Sequence, residues 1–132
     1  MKTKLVGRRV GAIIVVRNTS TRLPKKAIRK IQDTETIALL IRRIKRCSSL
    51  SRIILATSIE TSDDIFEKIA DREGIDFFRG SLKDVASRFY AAAQHYQLDH
   101  IVRITGDDIL RDEIMIDKAV KSHLDQGSDV TL

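Results

Sequence analysis

Val10-Gly11-Ala12-Ile13-Ile14-Val15-Val16 runs directly into Arg17-Asn18-Thr19-Ser20-Thr21-Arg22-Leu23-Pro24-Lys25-Lys26. The first half is an apolar run rich in β-branched residues, the pattern of a strand buried on both faces of a parallel sheet. The second half carries four cations, hydroxyl side chains and the only proline of the chain, with no carboxylate nearby. Cations without a local partner wait for an anion, and a loop leaving the C-terminal end of a parallel strand is where open α/β sheets bind ligands. A merely solvated loop is the competing reading.

Working outward, strand-like and helix-like segments alternate. Thr36–Cys47 places Ile37, Leu40, Ile41 and Ile44 on one helical face and Arg42, Arg43, Lys45 and Arg46 on the other. Ile53–Thr57 is a second strand. Ser62 is the expected N-cap of a second helix, with Asp63 and Asp64 in its first turn. That helix buries Ile65, Phe66, Ile69 and Ala70 and stops at Gly74. Ile75–Phe78 is a third strand. Ser81 and Asp84 have capping-box-like spacing ahead of a helical stripe of Val85, Phe89, Ala92 and Tyr96. His100–Ile104 is a fourth strand, Asp112–Gln126 a fourth helix stopped by Gly127, and Asp129–Leu132 the beginning of a fifth strand. This alternation predicts βαβ units, a mainly parallel sheet and helices on both faces. Because the chain ends inside a strand-like run, it is expected to be the N-terminal part of a longer protein.

Length and charge bound the function. A chain of 132 residues makes one domain, here residues 1–132. No apolar run approaches the ~20 residues that span a bilayer, and the N-terminus lacks the apolar core of a signal peptide. One cysteine, Cys47, cannot form an internal disulfide, and no Cys/His spacing suggests zinc. A cytoplasmic location is expected, with no membrane partner. The net charge of +6 is uneven: residues 1–32 hold ten Lys or Arg and no Asp or Glu, against 14 basic and 18 acidic residues in the rest. A nucleic-acid surface is one generic explanation. Aromatics at 5% argue against it, because stacking platforms need them.

Gly-rich phosphate loops of the G-x-x-x-x-G-K-[ST] and G-x-G-x-x-G kinds are absent. Any phosphate must then be held by side chains. Arg17, Arg22 and Lys26 suit this, with Ser20 and backbone N–H groups helping. A second candidate is Thr105-Gly106-Asp107-Asp108 at the end of the fourth strand. Asp107 could hold Mg²⁺, which takes one or two carboxylates plus ligand phosphates; a plain Gly-Asp turn is the alternative. If the first and fourth strands are neighbours, both segments open on the same edge. The stretch 78–88 leaves the third strand toward that edge, and there Arg79 and Arg88 read on local grounds as surface or structural arginines that could also reach a base or phosphate.

Together these segments resemble a family. Arg17-x-x-Ser20-x-Arg22-Leu23-Pro24-x-Lys26, then Ala56-Thr57-Ser58 with Ser62-Asp63-Asp64, then Phe78-Arg79-Gly80-Ser81 with Asp84-Val85 and Arg88, and finally Val102-Arg103-Ile104-Thr105-Gly106-Asp107 recur in this order in sugar-activating cytidylyltransferases. The likeness is to the spore-coat polysaccharide, 3-deoxy-manno-octulosonate and CMP-sialic acid members. It implies a three-layer, Rossmann-like nucleotide-diphospho-sugar transferase fold. It implies transfer of CMP from CTP to an anionic sugar with release of pyrophosphate, aided by Mg²⁺. Arg17, Arg22, Lys26 and Asp107 would be catalytic, with Asp107 on the metal. Val16, Ser20, Arg79, Ser81 and Gly106 would add nucleotide contacts.

Departures from the family pattern motivate a second reading. Thr19 stands where a small residue is usual, Lys25 where Gly is common, Gln32-Asp33-Thr34-Glu35-Thr36 where a glycine turn precedes Lys-Pro, and Ile109 where Pro is usual. A catalytically lapsed binding or assembly domain of the same fold is therefore the alternative. Self-association, as in a homodimer, is a further expectation from an open sheet end at residue 132.

Overall fold

The computed structural model describes residues 9–18 and 25–131. Four parallel strands form one sheet in the order β5-β4-β1-β6: β1 is Val10–Val15, β4 Arg52–Ser58, β5 Asp76–Gly80 and β6 His100–Thr105. β1 is central because it alone is apolar at every position, as a strand covered on both faces must be. It pairs Gly11 with Arg52 and Val15 with Ala56 on one edge, and Val10 with His100 and Val15 with Thr105 on the other. A short antiparallel hairpin, β2 (Lys30–Ile31) and β3 (Thr34–Glu35), lies between β1 and the first helix.

Helices cover both faces. On one side α1 (Thr36–Ile44), α2 (Asp64–Glu73) and α4 (Glu113–Gln126) pack on Val10, Ala12, Ile14 and Val16. On the other, α3 (Val85–His95) packs on Ile13, Ile54 and Ala56 through Ala92 and Ala93. The expected α1 stripe of Ile37, Leu40, Ile41 and Ile44 has no exposed surface at all. Each such side chain contributes roughly 1.5–3 kcal/mol on burial. Among the described residues no helix is long and apolar enough to cross a membrane.

Four expectations are corrected. Asp129–Thr131 form no strand: Val130 is 75% exposed, and Thr131 turns back to bond His123, so the run finds no ladder partner. The first helix ends at Ile44, and Arg46 N and Cys47 N tighten onto carbonyls three residues back. Ser62 lies in a 3-10 turn, Thr61–Asp63, so the helix proper starts at Asp64. Asp84, not Ser81, caps α3, accepting from Ser87 N at 3.0 Å, while Ser81 Oγ accepts from Asp84 N.

Chain order fixes where a ligand can bind. From β1 the chain steps outward through β4 to β5, then returns to place β6 on β1's other side. The strand order therefore reverses between β1 and β6, and the C-terminal ends of these two strands mark the topological switch point of such a sheet.

Candidate nucleotide site

The cationic loop departs from a rigid base. Val16 N donates to Ala56 O, and the buried Thr57 hydroxyl donates to Val16 O at 2.7 Å. Asn18, 6% exposed, donates its backbone N–H to Asp63 Oδ1 and its side-chain amide to Ser62 O, both at 2.7 Å. Asp63 is fully buried, and its other oxygen accepts from the Ser58 hydroxyl. A carboxylate read in the sequence as a helix-start charge is thus an internal staple. On the return, Lys25 N donates to Asn18 O at 2.9 Å, closing the loop at its neck. The turn Lys26–Ile28 then carries Lys26 back over the end of the sheet.

β6 supplies the facing wall. Gly106 N donates to Val15 O at 2.9 Å. A Cβ at Gly106 would lie 2.8 Å from Val16 Cγ2 and 3.1 Å from Val15 O, so only glycine permits this approach. Asp107 follows on a turn closed by Asp108 N to Thr105 O. A hydrogen bond from the Thr105 side chain, assisted by Lys26, holds the Asp107 carboxyl below its usual range. Lys26 Nζ stands 3.4 Å from Asp107 Oδ2, with both side chains about half exposed.

Between these walls lies an open cleft of about 320 Å³, lined by Val16, Arg17, Lys26, Arg88, Gly106 and Asp107 among others. Among the described residues three cations share it with one carboxylate. The structure thus brings together Val16, Arg17, Lys26, Gly106 and Asp107 from two distant stretches. Ser20 and Arg22, with Thr19, lie outside the described residues. Arg79 does not line the cleft: it binds Asp64 Oδ1 at 2.6 Å and the carbonyls of Ser58 and Glu60, tying β5 to the start of α2. Ser81 does not line it either, and its carbonyl accepts from Arg88. Arg88, which on local grounds reads as a surface or structural arginine that could also reach a base or phosphate, lines the cleft.

Among the described residues no group of three or more His, Cys, Asp or Glu side chains could hold a metal unaided. Asp107 offers one hard, ionised oxygen donor beside cations. That set fits Mg²⁺ only as a shared ion, with phosphate oxygens and water completing its shell. Cys47 has no part in the site, since burial pushes its thiol up to about 11 and keeps it protonated.

The backbone retains the turns whose glycines are missing. Lys25, Gln32 and Asp33 take φ of 60°, 49° and 69°. Side chains there cost about 1–2 kcal/mol each, less for Asp, yet the turns are made.

The sequence model of one family, described as cytidylyltransferase, matches residues 11–131. The chain belongs to the cytidylyltransferase family. The spore coat polysaccharide biosynthesis protein SpsF of Bacillus subtilis is 33% identical over 123 residues, 90% of this chain and 51% of its own length. A cytidylyltransferase structure from Leptospira borgpetersenii superposes with a TM-score of 0.84 at 36% identity, over 87% of this chain and 48% of that one. The structure of a CMP:2-keto-3-deoxy-manno-octonic acid synthetase complexed with CTP gives a TM-score of 0.81 over 91% of this chain and 49% of that one; at 16% identity this likeness concerns the fold alone. The fold is that of cytidylyltransferase structures, as the resemblance implied. The chain spans about half the length of the curated relatives it matches.

Proposed function

We propose that this chain is the CTP-binding part of a Mg²⁺-dependent cytidylyltransferase that transfers CMP to an anionic sugar. The observation that carries the reading is the cleft at the switch point, where Arg17 and Lys26 face Asp107 across the ends of β1 and β6. An oxygen of the sugar attacks the α-phosphorus, the bond to the β-phosphate bridging oxygen breaks, and pyrophosphate leaves with the electron pair. Such transfer needs positioning and charge neutralisation rather than covalent catalysis. Arg17 and Lys26 hold the triphosphate and stabilise charge on the leaving group. Ser20 and Arg22 of the same motif join them. Lys26 exchanges its ion pair with Asp107 for a phosphate oxygen. Asp107, so released, would be a side-chain ligand of Mg²⁺, which, when bound, would supply charge neutralisation on the phosphates. The name of the Bacillus subtilis relative supports a role in surface polysaccharide synthesis.

Calorimetric titration of CTP into the purified chain, with and without Mg²⁺ and beside ATP, tests this. The expected result is Mg²⁺-dependent binding that prefers CTP and weakens on the order of 100-fold in Asp107→Asn, with the melting temperature little changed. A folded chain that binds neither nucleotide would overturn the reading in favour of a lapsed domain. Lys25, Gln32 and Asp33, in place of glycine, are the observation favouring that alternative.

A further inference from the structure

Arg88 is 2% exposed. A buried guanidinium is ordinarily met by a carboxylate, because desolvating an unpaired charge is costly. Arginines here that are far more exposed still meet a carboxylate: Arg52 meets Asp76, Arg79 meets Asp64, and Arg42 and Arg72 both meet Glu73. Arg88 does not. Its Nε and Nη2 donate to Ser81 O at 2.9 and 2.8 Å, and Nη2 also donates to Leu82 O at 3.1 Å. No carboxylate among the described residues pairs with it, and residues 1–8 and 19–24 contain no Asp or Glu.

The nearest influence of opposite sign is Asp63, whose two oxygens are already taken by Asn18 N and the Ser58 hydroxyl. Burial first, and then the positive field of Arg17, also on the cleft, depresses the proton affinity of Arg88. The packing makes deliberate room for this side chain: a Cβ on Gly80 would stand 3.0 Å from Arg88 Cγ. One edge of the guanidinium is therefore fixed on the β5–α3 turn. Nη1 makes no hydrogen bond among the described residues, and the side chain lines the cleft.

We infer that Arg88 is a further phosphate-binding residue, a buried cation whose missing counter-charge is an anionic oxygen of the nucleotide's phosphate chain. This rests on the nucleotide site proposed above and adds to it a buried group held by the β5–α3 turn, where Lys26 is about half exposed. Arginine suits the role: it cannot lose its proton as lysine can, and it presents donors on two edges at once.

The test is calorimetry of CTP, pyrophosphate and cytidine on wild type, Arg88→Lys and Arg88→Gln, with melting curves of each unliganded chain. A charge-assisted bond is worth enough to predict a loss of about tenfold or more for CTP and pyrophosphate in Arg88→Gln. Arg88→Lys should fall between, and cytidine should bind all three alike. A folded Arg88→Gln that binds CTP and pyrophosphate as wild type does would reduce Arg88 to a clamp on the turn. If Arg88→Gln fails to fold, the Nε–Hε resonance of Arg88 in the wild-type chain gives the answer, assigned by its absence from Arg88→Lys. It should shift with pyrophosphate and not with cytidine, and a stationary resonance at saturation overturns the inference. Pyrophosphate separates the two proposals: Arg88-dependent pyrophosphate binding without CTP binding would sink the nucleotide reading and, of this one, keep only that Arg88 binds phosphate.

Discussion

Arg42 and Arg72 stand where α1 meets α2, and both close on Glu73, at 2.9 and 3.1 Å, while Arg72 also grips Glu35 at 2.8 Å. Arg17 and Arg88 stand at the C-terminal ends of the strands, and neither has a carboxylate partner among the described residues. The same side chain is thus used in two ways within one small molecule. Between the helices, two arginines and two carboxylates neutralise each other and the group is complete. At the cleft, cations outnumber carboxylates three to one among the described residues, and we propose that a nucleotide's phosphates supply the balance. What distinguishes a structural arginine from a binding one here is whether the fold has already supplied its anion.

Removing an anion from the completed group should do the most damage. Glu73→Ala leaves two arginines facing each other across a nearly buried position, since Glu73 is 8% exposed. The expected loss is about 2–3 kcal/mol in urea unfolding, at or below the low end for a broken buried pair because water screens the two half-exposed arginines left behind, with CTP affinity unchanged. Bonds from Arg42 first, and also Arg72, hold the Glu73 carboxyl below its usual 4.5. A depressed folded-state pKa stabilises fully above the unfolded value and loses that contribution as pH falls through the folded one. The gap between wild type and Glu73→Ala should therefore narrow below about pH 4.5; a gap of equal size at pH 7 and pH 3 would show that the charge is not what matters.

A change at the cleft wall should cost less stability but more function. Gly106→Ala drives a methyl group into Val16 and Val15 O, for about 1–3 kcal/mol of strain. Unlike Glu73→Ala, it should weaken CTP binding in the same calorimetric assay, because the wall that moves carries Asp107. The smallest effect is a gain. Lys25→Gly removes a side chain from a left-handed position and should raise stability by up to about 1 kcal/mol, read as a higher urea midpoint. A drop in stability would mean that the lysine side chain contributes contacts outweighing its strain.

Much of this arrangement is legible in the sequence, because it depends on patterns that sheets and helices enforce. The all-apolar β1 can only be a strand covered on both faces, and Ile37, Leu40, Ile41 and Ile44 can share only one helical face. The first of those facts places Arg17 at a strand end, and the strand-like run His100–Ile104 does the same for Asp107. Direction is harder. An arginine just past a strand reads the same whether it faces a ligand or a neighbouring helix; for Arg79 the deciding groups are Asp64 on α2 and two carbonyls. Arg88 did carry a signal, since it occupies a position on the buried face of α3 beside Val85, Phe89 and Ala92, where a charge is out of place. The β2–β3 hairpin was hidden because its turn uses Gln32 and Asp33 in conformations that usually announce themselves as glycine. The run at 129–131 has strand-forming residues, but propensity without a partner does not make a ladder.

The position of β1 has a consequence for synthesis on the ribosome. Its first neighbour arrives early: Ser51, 41 positions on, binds Val10 O. Its second arrives late, as Arg9 N meets Asp99 across 90 positions. At about 5–20 residues per second, the nascent chain carries β1 with one edge unclaimed for on the order of ten seconds. During that interval the strand is a template for any extended peptide that passes. Asp107 is translated only after β6, so a nascent chain that has not yet reached it cannot present both walls of the cleft.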